Sequence, residues 1–188
     1  MSRIEPLAKP YPEAFATAMA RTMPAGAEPL VLFTTIATSP RAWDKFSGGS
    51  LLGRGPLSLR LREIAILRTT ARSGGEYEWG VHVNAFGPKA GFTPEQIAAT
   101  VHGASDDAAA NWSETEAVLI TSIDALLDRK KLDDDEYANF ARFFDAEQQL
   151  EVVQIVAFYH GVSLMCGAFA LPLEPGAARF SEQGSAHA

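Results

Sequence analysis

Apolar residues recur at helical spacing along almost the whole chain, and no stretch of β-branched alternation is long enough to need a sheet. A residue suited to opening a helix precedes each run. Starts are expected near Pro12, Glu28, Pro40, Ser58, Glu76, Pro94, Ser113, Asp133 and Asp145, each a capping residue, an acid or a first-turn proline. Ser113-Glu114-Thr115-Glu116 and Thr93-Pro94-Glu95-Gln96 have the form of capping boxes, in which two side chains satisfy two backbone N–H groups reciprocally. The fold class is therefore all-α.

At 188 residues with 47% hydrophobic content, the chain has enough material for one good core. Residues 1–172 are expected to form that domain, and residues 173–188, rich in Gly, Ser and Ala, a C-terminal arm or disordered tail. The formal charge of -7 repels phosphate backbones, so no nucleic-acid partner is expected. No signal peptide is visible, and no run approaches the roughly 18 apolar residues of a membrane span. The nearly uncharged segment from Val152 to Leu173 is interrupted by Gln154, Tyr159, His160, Gly161, Ser163 and Gly167 and reads as a central core helix. Cys166, the one cysteine, excludes an intrachain disulfide and fits a reducing cytoplasm.

Three ionisable groups stand out among the hydrophobes. In the helix expected from Ser58 to about Ser73, Leu59, Glu63, Ile66, Leu67 and Thr70 share one face while Leu61, Ile64 and Ala65 lie on another. Glu63 is thus expected to be buried, where an unpaired carboxylate costs several kcal/mol and must find a partner, take up a proton or face a polar cavity. Arg62, Arg68, Arg72 or an arginine of a neighbouring subunit are candidate partners. On the next helix Glu78 and His82 stand four residues apart on one face. A carboxylate beside an imidazole raises the imidazole's pKa and orients its ring, as acid/base work near neutral pH requires.

The segments Arg62-Glu63-Ile64-Ala65-Ile66-Leu67, Tyr77-Glu78-Trp79-Gly80-Val81-His82 and Gly91-Phe92-Thr93-Pro94-Glu95-Gln96-Ile97 resemble the core block of the carboxymuconolactone decarboxylase family, which also contains the alkylhydroperoxidase D proteins. The resemblance implies an alkylhydroperoxidase D-like helical bundle assembled as a homo-oligomer, dimer to hexamer. In the peroxidase branch, Glu is followed after eleven residues by Cys, after two more by a second Cys, and after three more by His. Aligned on Glu63, that pattern puts Gly75 and Glu78 at the two cysteine positions and His82 at the histidine. A thiol peroxidase needs one thiolate to attack the peroxide and a second thiol to resolve the sulfenic acid, and a carboxylate can do neither.

What the resemblance leaves is proton handling. It implies a site for a small carboxylated or lactone-like metabolite, with decarboxylation or a related proton transfer as the reaction. Protonated His82 is expected to act as general acid, Glu78 to orient and charge it, and Glu63 to relay a proton. Trp79, Phe86 and Tyr159 are expected to supply apolar walls, and by resemblance the segment holding Tyr159 and His160 packs near the site. No cofactor is expected. Glu63, Glu78 and His82 offer two oxygen ligands and one nitrogen but lack the tight spacing of a metal site, so no metal is expected either. The alternatives are a thiol peroxidase and a non-catalytic scaffold in which the three side chains form a buried network that sets oligomer register. His102, near a helix end, and His187, in the tail, are read as structural or solvated.

Overall fold

The computed structural model describes residues 2–102 and 111–180, and all regular structure among them is helical. The helices are α1 (Glu13–Thr22), α2 (Val31–Ile36), α3 (Pro40–Ser47), α4 (Leu59–Arg72), α5 (Glu76–Ala90), α6 (Pro94–His102), α7 (Glu114–Arg129), α8 (Asp134–Phe143) and α9 (Ala146–Ala168). Their starts follow the local chemistry. Ser58 accepts from the Leu61 N–H at 3.2 Å to open α4, and Ser113 and Glu116 close a capping box at α7. Thr93 and Gln96 do the same at α6. Asp133 with Glu136, and Asp145 with Gln148, form two more boxes at α8 and α9.

α2 departs from expectation by opening at Val31 rather than near Glu28. Pro29 disfavours helical backbone at Glu28, and Leu30 is still extended. The first N–H groups of α2 are capped from a distance. Val31 donates to the Glu174 carboxylate at 2.6 Å, and Leu32 donates to the Tyr77 hydroxyl at 3.0 Å.

α4 is the central element, with every residue from Arg62 to Thr70 buried. It packs against α5, α6, α7 and α9, which explains why its sequence is apolar on more than one side. Ile64, Ile66 and Leu67 have no exposed surface, and truncating any one to Ala would cost about 2–5 kcal/mol. A constant offset aligns α4 with α7. Arg60 pairs with Glu116, Arg68 with Asp124 and Arg72 with Asp128, so the two helices run parallel and in register. Those pairings remove Arg68 and Arg72 as partners for Glu63.

α9 is long and apolar enough, by length and composition, to cross a membrane. In this fold it lies along α4 and α5, with Val152, Ile155, Tyr159, Val162 and Cys166 buried in the main core. The described part of the C-terminal segment, residues 173–180, docks on α5. Asn84 donates to the Gly176 carbonyl at 2.8 Å, the Phe180 N–H donates to Glu76 at 2.8 Å, and the Phe180 ring packs on Trp79. Gly80 permits the approach, since a Cβ there would collide with the Ala178 carbonyl. The rest of the expected tail, with His187, lies outside the described residues.

Candidate functional site

The Ser73–Gly75 turn folds α5 back against α4 and brings Glu63, Glu78 and His82 together. Glu63 is wholly buried, and Glu78 and His82 are nearly so. Glu63 Oε2 lies 2.7 Å from His82 Nδ1, and its Oε1 accepts from Arg62 Nη2 and Nε at 2.9 and 3.1 Å. On the other side of the ring, His82 Nε2 lies 3.4 Å from Glu78 Oε1. The order is Arg62, Glu63, His82, Glu78, with two positive and two negative groups in alternation.

Burial is the largest influence on His82 and would push its pKa down. Hydrogen bonds to Glu63 and then Glu78, with the charges of both carboxylates, outweigh it and raise the group from 6.5 to about 9. His82 is therefore an imidazolium at neutral pH. With both ring nitrogens directed at carboxylates, neither is free to ligate a metal. Among the described residues, no group of three His, Cys, Asp or Glu side chains is arranged to hold one.

The two carboxylates differ in their surroundings. Glu63, pinned by Arg62, orients and charges the imidazole from behind, whereas Glu78 is the member that lines a cavity of about 140 Å³. Glu78 Oε2 is buried and has no protein donor. Phe33, Trp43, Phe46, Phe158 and Tyr159 form most of the cavity's aromatic wall, and Ser50 and Leu52 contribute from the loop before α4. Edge and tilted ring contacts run from Phe33 through Phe46, Phe158 and Tyr159 to His82, linking the N-terminal helices to the buried pair.

Of the expected wall residues, two adjoin the imidazole. The Tyr159 ring stands edge-on to His82 at 5.2 Å, with its hydroxyl donating to the Ser50 carbonyl at 3.3 Å. Burial, and then the nearby Glu78 and Glu63 carboxylates, push the Tyr159 pKa up, so it stays a phenol. Phe86 covers the His82 ring at 5.1 Å, and Arg62 lies over Phe86. Phe86 is not among the residues lining the cavity.

The other two lie elsewhere. Trp79 follows Glu78 by one residue, about 100° around α5, and turns into a separate cluster with Leu67, Val83 and Phe180, where its N–H donates to Thr100. His160 meets Ser73 at 2.9 Å and borders a groove with Leu126, Leu127 and Lys130, again one helical step away from Tyr159. His102 is the exposed last residue of α6.

The position aligned with the first peroxidase cysteine is closed. A Cβ at Gly75 would lie 2.8 Å from the Ser163 Cβ and nearer still to its hydroxyl, so a side chain there requires α9 to shift. Cys166 is buried in α9, and its thiol pKa is pushed up by burial and then by Glu78. It is held as the thiol rather than the nucleophilic thiolate.

Sequence reasoning did not find Phe33, Trp43, Phe46 or Phe158. The one trace of them is the Trp43 and Phe46 pair at helical spacing, which by itself reads as packing.

Residues 37–120, which include Glu63, Glu78 and His82, match the sequence profile of the carboxymuconolactone decarboxylase family. Comparison with curated proteins finds no match to the chain. Among solved structures, it is similar to an uncharacterised peroxidase-related protein from Silicibacter sp. TM1040, with a TM-score of 0.73, 16% identity and 96% of each chain covered. It is also similar to a peroxidase-related protein with an alkylhydroperoxidase AhpD core from Ralstonia eutropha JMP134, with a TM-score of 0.76, 16% identity and 92% of each chain covered. A third similar structure is the debrominase Bmp8 in complex with 2,3,4-tribromopyrrole, with a TM-score of 0.69, 18% identity, and 93% of this chain and 92% of that one covered. The shared architecture is the alkylhydroperoxidase D-like helical bundle.

Proposed function

We propose, for a chain whose residues 37–120 belong to the carboxymuconolactone decarboxylase family, that the protein is an acid/base enzyme moving a proton on a small metabolite, with Glu78 as the group that meets the substrate. The observation that carries this reading is the position of Glu78, which lines the cavity and has one carboxylate oxygen without a protein donor. A network serving only to set register needs no member at a cavity wall.

In the proposed reaction the Glu78 carboxylate takes a proton from the substrate and returns it at another atom. His82, kept cationic by Glu63 and Glu78, stands 3.4 Å behind Glu78 and stabilises its anionic form before the first transfer and after the second. Of the reactions the family suggests, proton transfer on a lactone-like ring fits better than decarboxylation of a carboxylated substrate. No Lys, Arg or His lines the cavity to receive a carboxylate. A thiol peroxidase reading finds little support, because Gly75 has no room for a side chain and the Cys166 thiol is buried.

The test assays wild type, Glu78→Gln and His82→Ala against panels of lactones and β-keto acids. Loss of a positioned acid/base should lower kcat by about 10²–10⁴. Absence of turnover by wild type, or full activity in both variants, overturns the assignment.

Assembly into a homo-oligomer is part of the same proposal. Leu150, Val153 and Leu164 are 66%, 47% and 60% exposed along α9, an apolar stripe suited to a second copy of the chain.

A further inference from the structure

We propose that the cavity selects uncharged single-ring compounds bearing one O–H or N–H donor, such as phenols or enolic rings, and rejects both carboxylates and ammonium ions. The proposal rests on the reading of Glu78 as the substrate-facing group and names the ligand class that group would recognise.

Size is the first argument. A cavity of about 140 Å³ is close to the roughly 150 Å³ known to enclose a benzene ring. It suits a single ring.

The wall is the second. Phe33, Trp43, Phe46, Phe158 and Tyr159 present aromatic faces and edges, which favour a flat apolar body by stacked or edge-on contact. The remaining lining adds neutral hydroxyls and small apolar groups, and no cation. A carboxylate entering here would lose its water, meet no positive partner and face Glu78, so its charge would be uncompensated.

Charge is the third. Aromatic rings beside a carboxylate also suggest an ammonium ion. Here, however, the negative charge of Glu78 already faces the His82 imidazolium at 3.4 Å, and Arg62 balances Glu63. A second cation would be repelled by His82, whereas a neutral donor can meet the Glu78 carboxylate from the cavity it lines without adding charge. A hydrogen bond to an ionised acceptor is about twice as strong as one between neutral groups, so one donor suffices to orient the ring.

Calorimetric titration of the purified full chain at neutral pH tests this with phenol, toluene, benzoate and benzylammonium as probes. Phenol should bind saturably and at least tenfold tighter than each of the other three. In Glu78→Met, which keeps the volume and removes the acceptor, phenol and toluene should bind within threefold of one another. Trp43→Ala offers a second measurement outside the buried network, since α3 has no buried residue. Widening the wall there should improve 2-naphthol binding at least tenfold over wild type.

Benzoate or benzylammonium binding as tightly as phenol overturns the proposal, as does saturable binding of none of the probes. Because binding is read without turnover, the two proposals fail separately. Phenol selectivity in a protein with no acid/base activity would leave the ligand class standing. Glu78-dependent turnover of a carboxylated substrate, without phenol selectivity, would sink the ligand class alone.

Discussion

Deprotonating His82 should unfasten the centre of the protein, and the size of the effect follows from its surroundings. In the fold the imidazolium is held by Glu63 at 2.7 Å and Glu78 at 3.4 Å, and its pKa stands at about 9 against an ordinary 6.5. The folded state therefore binds the proton more tightly than the unfolded chain does. The resulting stability is fully present below pH 6.5 and is lost as pH rises through about 9. The difference between the two pKa values amounts to about 3 kcal/mol, and the loss proceeds at about 1.4 kcal/mol per pH unit between them. With a urea dependence of roughly 2 kcal/mol/M, the unfolding midpoint should fall by about 1.5 M across that window. The measurement is urea unfolding of wild type and His82→Gln at a series of pH values. Subtracting the variant's curve removes the contributions of groups unrelated to His82. Parallel curves for the two proteins between pH 6.5 and 9 would refute the reasoning, since an imidazole not held cationic by the carboxylates has no stability to lose there.

Three other outcomes are expected. Gly75→Ala and Gly75→Cys should each destabilise by about 1–3 kcal/mol through collision with Ser163, and Ser163→Gly should restore part of the loss in Gly75→Ala; urea unfolding decides, and wild-type stability in Gly75→Cys would show that α9 yields freely. Cys166, buried and with its thiol pKa raised, should resist iodoacetamide in the folded protein and react promptly in denaturant, as mass spectrometry would report; equal rates in both states would contradict its burial. Charge placed on the α9 stripe by Leu164→Glu should shift the protein toward monomer in sedimentation, and a wild type that sediments only as a 20.2 kDa monomer would remove the basis of the assembly proposal.

The sequence by itself determined the helices and the material of the site. Capping boxes and i,i+4 neighbours act within one turn, so Ser113 with Glu116, Thr93 with Gln96, and Glu78 with His82 are legible in a few consecutive residues. The apolar surround of Glu63 foretold its burial in the same local way. The start of α2 was misplaced because its caps, Glu174 and Tyr77, come from segments far along the chain. Trp79 is expected in the apolar wall and His160 near the site by resemblance, but one residue on a helix is about 100° of rotation and carries them to other faces than Glu78 and Tyr159. The tertiary structure alone decided which carboxylate is buried behind the imidazole and which meets the cavity. The wall was equally hidden, since Phe33, Trp43 and Phe46 reach Phe158 and Tyr159 across more than a hundred residues. Short-range geometry is set by backbone periodicity. The cavity is set by which helix faces pack together, and no spacing along the chain encodes that choice.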